Sequence, residues 1–106
     1  MEKFIIVITT TETEEEAEKI AEILVSKKLA ACVQIIPSIK SVYSWEGAME
    51  KSEEQLLFIK TKETLFEKVE KTLKTIHSYE TPEIISIPIE NGSNDYLKWL
   101  KENCSG

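Results

Sequence analysis

Few residues of this sequence have side chains that could bind a metal ion or act in catalysis. His77 is the only histidine among 106 residues, and Cys32 and Cys104 are the two cysteines. Imidazole nitrogens, thiolates and carboxylates are the side-chain groups that bind Cu²⁺ and Zn²⁺ in proteins. Because Glu80 and Glu83 follow His77 closely in the sequence, we predict that these three side chains hold a divalent cation weakly, together with groups from a symmetry-related copy.

Each of these residues also has a structural interpretation. His77 follows a predicted helix, and the alternative to metal binding is an interaction of its ring with the carbonyl groups at the end of that helix. Cys32 lies in an apolar run, where a small buried thiol is the alternative to a metal ligand. Cys104 lies near the end of the sequence, next to residues that we expect to fray. Because the two cysteines are far apart and form no CxxC pair, we expect two free thiols.

No arrangement typical of an enzyme accompanies these residues. A Ser-His-Asp triad would have to use His77 and Asp95, the only aspartate, and no spacing supports that combination. The sequence also has no phosphate-binding loop, no GxGxxG and no HExxH motif. We therefore predict that the protein is not an enzyme.

The composition excludes several classes of partner. Nineteen acidic residues outnumber thirteen lysines, there is no arginine, and the formal net charge is −6. Proteins that follow a phosphate backbone need basic patches, so we expect no nucleic-acid partner. No apolar run approaches the roughly 20 residues of a membrane-spanning helix, so we expect no membrane partner. We predict a single domain, 1–106, located in the cytoplasm.

The elements that must position these residues follow from the apolar pattern. Helices are indicated after three capping positions: Thr11 or Thr13, which both fit the capping-box spacing, then Thr64 and Ser93. Strands are indicated at Phe4–Ile8, Ala30–Glu46, Gln55–Thr61 and Glu83–Ile89. The order is β-α-β-β-α-β with a short C-terminal helix, which predicts an α+β, ferredoxin-like fold. Right-handed crossovers place the two main helices on one face of the sheet, so only the short helix is left for the other face.

The second predicted strand is unusually long. Seventeen residues, Ala30–Glu46, would extend for roughly 55 Å, whereas a compact chain of this size is about 33 Å across. Pro37 predicts a bend or bulge within it. We expect the resulting hairpin to pair with neighbouring copies in a homo-oligomer, because a closed ring removes free strand edges. The alternative is two ordinary strands, broken at Pro37, in a monomer.

Four aromatic residues and one lysine could form a pocket at such an interface. They are Tyr43, Trp45, Tyr79 and Trp99, with Lys60 as the charged group. The alternative is hydrophobic anchoring between subunits, since aromatic residues are common in oligomer contacts.

Several motifs together resemble those of a known family. They are Leu29-Ala30-Ala31-Cys32-Val33, Ile36-Pro37, Ser41-x-Tyr43-x-Trp45-x-Gly47, Glu54-x-x-x-Phe58-x-Lys60-Thr61, His77-x-Tyr79-x-Thr81-Pro82-Glu83-Ile84 and Tyr96-Leu97-x-Trp99-Leu100. In this order they are similar to the CutA divalent-cation-tolerance family across essentially the whole chain. The resemblance implies a cytosolic homotrimer of ferredoxin-like subunits, associated with tolerance of divalent metals and especially copper. We expect Cu²⁺ or another divalent cation as a weakly bound ligand that folding does not require.

The resemblance also suggests where metal binding and an alternative function would lie. Some bacterial members have a suggested copper site formed by a cysteine at the end of the first strand and a His-His pair; those positions hold Thr9, Ile76 and His77 here. Cys32 matches the family's strand cysteine. The family is related in architecture to the PII signalling proteins, so the alternative is a trimer that binds a small anionic metabolite. That ligand would need basic residues, for which Lys40, Lys60 and Lys62 are available.

Overall fold

The computed structural model describes residues 2–105 as a four-stranded antiparallel sheet with three α-helices. In chain order the elements are β1 (Phe4–Thr11), α1 (Glu14–Ser26), β2 (Cys32–Trp45), β3 (Ala48–Lys62), α2 (Phe66–Ile76), β4 (Ile85–Ile89) and α3 (Asn94–Glu102), with a 3₁₀ turn at Glu63–Leu65. The strands lie in the order β2-β3-β1-β4. This arrangement confirms the predicted α+β fold and its order of elements.

Helix α1 begins after Thr13, the second of the two capping positions that the sequence pattern allows. The hydroxyl oxygen of Thr13 accepts a hydrogen bond from the backbone N–H of Glu16 at 3.1 Å, which caps the first turn. Ala17, Ile20 and Leu24 are buried on the face that packs against the sheet. Their spacing is that of one helix face, so the apolar pattern and the observed packing agree.

The start of α2 differs from the prediction. Thr64 does not cap the helix; it lies within the 3₁₀ turn Glu63–Leu65, and no side chain caps α2. The backbone N–H of Glu63 donates to the carbonyl oxygen of Lys3 at 2.9 Å. This tertiary hydrogen bond holds the chain beside β1, and the 3₁₀ turn leads directly into the helix.

The hairpin of β2 and β3 is long and bulged, as predicted. Its strands contain 14 and 15 residues, and the register shifts between Ile36 and Ile39, around Pro37. Ser38, at the bulge, has a φ of 58°, and its N–H donates to Gln55 Oε1 at 3.1 Å. β3 is longer than the predicted Gln55–Thr61 because it pairs with β2 out to the turn. The chain measures 44 × 25 × 22 Å, so the hairpin makes it elongated.

The main core lies between one sheet face and helices α1 and α2. Alternate residues of the two central strands supply the sheet side of this core: Ile5, Val7, Leu57 and Ile59 are buried beneath the helices. A smaller cluster beside α3 contains Phe4, Leu65, Leu100 and Cys104. Cys104 is thus buried, in contrast to the fraying expected near it, because Leu100 and its neighbours pack around it.

The opposite sheet face, here called the α3 face, carries the alternate residues of each strand. Ile85 and Ile87 of β4 pair directly with Ile8 and Ile6 of β1, so all four lie on this face. Ile85 and Ile87 are 50% and 47% exposed. As predicted, only α3 packs near this face, and a row of apolar side chains remains in contact with solvent. Within residues 2–105, no helix is both long and apolar enough to cross a membrane.

Candidate functional site: an acidic groove beside the long hairpin

The His77 ring is turned inward and uses both of its nitrogens. Nε2 lies 2.7 Å from the carbonyl oxygen of Thr10, and Nδ1 lies 3.1 Å from the backbone nitrogen of Tyr79. Because a backbone N–H can only donate, Nδ1 accepts, and we assign the ring hydrogen to Nε2, which donates to Thr10. The side chain is fully buried. The ring therefore connects the loop after α2 to the end of β1, instead of contacting the carbonyl groups of its own helix.

Glu16 holds the same loop from the other side. Its carboxylate accepts hydrogen bonds from Ser78 N at 2.7 Å and from Ser78 Oγ at 3.0 Å. Its Oε2 also lies 3.8 Å from Nδ1 of His77. The beginning of α1 and the end of β1 thus position the loop that leads to Glu80 and Glu83.

The structure does not bring the four predicted metal ligands together. Cys32 pairs with Lys60, which pairs with Ile6 of β1, whereas His77 contacts Thr10. Those two positions on β1 are about 13 Å apart, and Cys32 lies a further two strands away. In the part of the chain that the structure describes, no three His, Cys, Asp or Glu side chains are close enough to hold a metal ion. A tight site within one chain therefore does not fit these residues.

Thr9 and Ile76 stand at positions where the family's suggested copper site has metal ligands, and both side chains face the core. Thr9 is fully buried, and its hydroxyl is without a hydrogen-bond partner. Ile76 is partly buried against the main core. Neither side chain offers the soft or nitrogen ligand that copper prefers. The thiol of Cys104 donates to Leu100 O at 3.1 Å, and burial raises its pKa, so it is held in the protonated form that does not bind metals.

Glu80 and Glu83 instead line a groove of about 860 Å³ beside the hairpin. The groove is formed by the end of β1, the outer half of the hairpin and the loop after α2. Its charged residues are all acidic: Glu12, Glu50, Glu53, Glu54, Glu80 and Glu83. Among the described residues that line it, none is basic. The groove therefore presents a concentration of negative charge.

Glu54 is the most buried carboxylate of the groove. It is 8% exposed, and its Oε2 accepts a hydrogen bond from the hydroxyl of Tyr79 at 2.7 Å. Burial raises the pKa of Tyr79 above its ordinary value, and the hydrogen bond to Glu54 and the negative charges nearby raise it further. The Tyr79 hydroxyl thus stays neutral and donates to Glu54.

The five residues predicted for one pocket lie in two places. Tyr43, Trp45 and Tyr79 line the acidic groove. Lys60 lies instead beside α3, where its Nζ is 5.5 Å from the centre of the Tyr96 ring. Trp99 lies there as well, with its ring centre 5.6 Å from that of Tyr96. Lys60 is therefore not the charged group of the groove.

Sequence reasoning missed the groove's carboxylates on β3. Glu50, Ser52 and Glu54 alternate along one side of this strand, and Tyr43 pairs with Glu50. The alternation of these residues with a period of two could have indicated a strand, but the predicted strand began only at Gln55.

The lysines that an anion-binding function would need are not part of the groove. Lys40 pairs with Glu53 across the hairpin, and Lys60 is six residues beyond Glu54 on β3, about 20 Å along the strand. Lys62 is farther still. The charge of the groove therefore disfavours an anionic metabolite.

Comparison with known proteins identifies the family. A family model described as CutA1 divalent ion tolerance protein matches residues 5–103. The chloroplastic CutA protein of Arabidopsis thaliana is 44% identical over 99 residues, which are 93% of this chain and 54% of that protein, so this chain spans about half of the plant relative's length.

Solved structures agree over nearly the full chain. The divalent cation tolerance protein CutA1 of Thermus thermophilus has a TM-score of 0.93 at 42% identity, covering 99% of this chain and 100% of that one. The periplasmic divalent cation tolerance protein CutA of Archaeoglobus fulgidus has a TM-score of 0.90 at 46% identity, covering 97% and 98%. The family model and these structures confirm the resemblance seen in the sequence motifs. The chain belongs to the CutA1 divalent ion tolerance family.

Proposed function

We propose that this protein is a non-enzymatic homotrimer that acts in tolerance of divalent metal ions and binds Cu²⁺ or a similar cation weakly. The observation that carries the proposal is the groove, whose charged lining residues within 2–105 are all glutamates. Carboxylate oxygens attract divalent cations, and their charge adds up at this one surface. Since no three of them converge as a ligand set, the interaction is weak.

Glu80 and Glu83 are the predicted ligands on which this proposal relies, because both line the groove. His77 would have to give up two hydrogen bonds to bind a metal, and Cys32 lies on another part of the sheet. A symmetry-related copy supplies any further ligands. This arrangement explains why residues 2–105 of one chain contain no group of three ligands that could hold a metal ion.

The proposed trimer is supported by the α3 face and the hairpin. Ile85 and Ile87 remain half exposed on that face, and Trp45 and Met49 are exposed near the hairpin turn. Apolar surface of this kind is typical of a subunit interface. We propose that each subunit is one domain, 1–106, and that three copies cover this surface in a closed ring. Sedimentation equilibrium at micromolar concentration should give about 36 kDa, three times the chain mass of 12.1 kDa; a particle of one chain mass would refute the trimer.

Calorimetric titration of Cu²⁺ and of Zn²⁺ tests metal binding. The double variant Glu80→Gln with Glu83→Gln should weaken binding by about fivefold to tenfold, since two charges near the ion are lost. The matched control, Glu18→Gln with Glu22→Gln, removes the same charge from the exposed face of α1 and should change binding less than about twofold. Cys32→Ser should bind as wild type does. Equal losses in the two double variants would refute the groove as the metal-binding surface.

We also propose a cytoplasmic location. Both cysteines are free in the structure, as expected in a reducing compartment. Relatives named for the chloroplast and the periplasm occur in the family, so fractionation of cells that produce the native protein is the appropriate test. Recovery with a periplasmic marker protein would refute this location.

A further inference from the structure

The loop between β4 and α3 contains an asparagine followed by a glycine. Asn91 and Gly92 lie between the end of β4 at Ile89 and Ser93, the residue that caps α3. Both are exposed and outside any helix or strand. Among residues 2–105, no hydrogen bond uses the carboxamide of Asn91 or the backbone N–H of Gly92. The Asn91 side chain is therefore able to rotate toward the backbone of Gly92.

This arrangement favours a reaction within the chain itself. Asparagine is among the thermolabile residues, because the backbone nitrogen of the next residue can attack its Cγ and close a five-membered ring. The attack requires a nitrogen that no neighbouring side chain shields and a backbone that can rotate. Gly92 has no Cβ and so meets the first condition. An exposed loop with few hydrogen bonds opens at little cost in free energy and meets the second.

We propose that Asn91 is a site of spontaneous deamidation. The nitrogen of Gly92 forms a bond to Cγ of Asn91, the bond from Cγ to Nδ2 breaks, and ammonia leaves with the proton of the former peptide N–H. Water then opens the cyclic imide at one of its two carbonyl groups. One opening gives an ordinary aspartate, and the other gives isoaspartate, in which the main chain runs through the side-chain carbon. Water is the only co-reactant, and the proposal does not depend on metal binding.

The other two asparagines of the sequence lack these features. Asn94 is the first residue of α3, and the next residue, Asp95, has a side chain beside its backbone nitrogen. Asn103 is followed by the buried Cys104, and its Nδ2 donates to the carbonyl oxygen of Trp99 at 2.8 Å, which holds the carboxamide in place. Asn94 and Asn103 are therefore internal controls for the reaction at Asn91.

Isoaspartate at position 91 acts on the start of α3. It lengthens the main chain by one carbon–carbon bond, about 1.5 Å, directly before Gly92. Gly92 packs closely on Leu97, since a Cβ added to it would lie 3.0 Å from Leu97 Cδ2. Ser93 Oγ caps the helix by accepting a hydrogen bond from Tyr96 N at 3.2 Å. A shift of this segment therefore weakens both the cap of α3 and the packing of Leu97 on the smaller cluster.

Peptide mapping by tandem mass spectrometry, during incubation of the assembled protein in mildly alkaline buffer, tests the reaction. Trypsin leaves Asn91 and Asn94 in one peptide between Lys74 and Lys98, so the two rates are measured together. We expect Asn91 to change from amide to acid at least about tenfold faster than Asn94 and Asn103, with isoaspartate detected by an isoaspartyl methyltransferase. Asn91→Gln should remove the reaction, because glutamine would have to close a larger ring.

Two results would overturn the deamidation site. They are similar rates at all three asparagines, and a rate at Asn91 in the folded protein that is more than about tenfold below the rate in guanidinium chloride, which would mean that the loop holds Asn91 rigidly.

Urea denaturation tests the effect on α3. Incubated wild type should unfold at a lower urea concentration than fresh protein, whereas incubated Asn91→Gln should not change. Asn91→Asp adds the charge without lengthening the main chain and should match fresh wild type. An unchanged midpoint in fully converted wild type, or an equal loss in Asn91→Asp, would refute the role of main-chain lengthening.

Discussion

The two ends of the α3 face contain the same kinds of aromatic residue in opposite electrostatic settings. At the α3 end, Tyr96 and Trp99 are in contact, and Lys60 lies over the Tyr96 ring. At the groove end, Tyr43 and Trp45 lie among glutamates, without a basic residue in the described lining. The α3 end thus has its own cation, whereas the described lining of the groove end has only negative charges. Aromatic residues alone do not indicate the ligand; the charged residues around them do.

Loss of side-chain packing at the α3 end should have the largest effect on the free energy of unfolding. Leu100 is fully buried in the cluster below α3, so Leu100→Ala should lower the free energy of unfolding by about 3 kcal/mol. Urea denaturation measures this loss. Val25→Ala, at an exposed position on α1, is the control and should cost less than about 1 kcal/mol. Equal losses would mean that α3 does not stabilise this end of the sheet.

Loss of the hydrogen bond between Tyr79 and Glu54, at the groove end, should have an intermediate effect on the free energy of unfolding. Tyr79→Phe should lower the free energy of unfolding by about 1.5 kcal/mol at neutral pH, since the bond is to a charged acceptor. Tyr96→Phe, at the other end, is the control, because the position is partly exposed.

The loss of unfolding free energy in Tyr79→Phe should also depend on pH. Folding raises the pKa of Tyr79, so its stabilisation is complete below the unfolded value of about 10 and is lost as the pH rises above it. The difference in unfolding free energy between wild type and Tyr79→Phe should therefore shrink above about pH 10. Denaturation between about pH 7 and pH 11 measures it. A constant difference over that range would contradict the assigned role of the Tyr79 hydroxyl.

Loss of the contact between Lys60 and Tyr96 should have the smallest effect on the free energy of unfolding. Lys60→Met keeps most of the aliphatic chain and removes the charge, so the free energy of unfolding should fall by about 0.5 kcal/mol. Lys98→Met on the exposed side of α3 is the matched control. Replicate thermal-unfolding scans of both variants measure the difference in their stability. If the two behave alike, the α3 end does not use Lys60 as its cation.

Local patterns predicted most of the fold. Thr13 and Ser93 cap their helices as expected, and the bulge occurs at Pro37 because proline cannot donate to the strand ladder. Thr64 failed as a predicted cap because the hydrogen bond from Glu63 to Lys3, distant in sequence, determines that turn. Local sequence predicts local structure well and contacts between distant segments poorly.

The groove was predicted only in part for the same reason. Glu80 and Glu83 were found because they follow the single histidine, but the ring of that histidine points to Thr10 and not to them. Glu54 joins Tyr79 across 25 positions of sequence. These residues come together only because β1 pairs with β3 and the loop after α2 lies beside them. No spacing pattern in the sequence predicts that contact.

The central claim is that the glutamates lining the groove attract a divalent cation. Thermal unfolding of wild type and of the variant Glu80→Gln with Glu83→Gln, each with and without Cu²⁺, tests it most directly, because a ligand that binds the native state raises the midpoint. We expect Cu²⁺ to raise the wild-type midpoint more than that of the double variant. An equal rise in both proteins would contradict the claim.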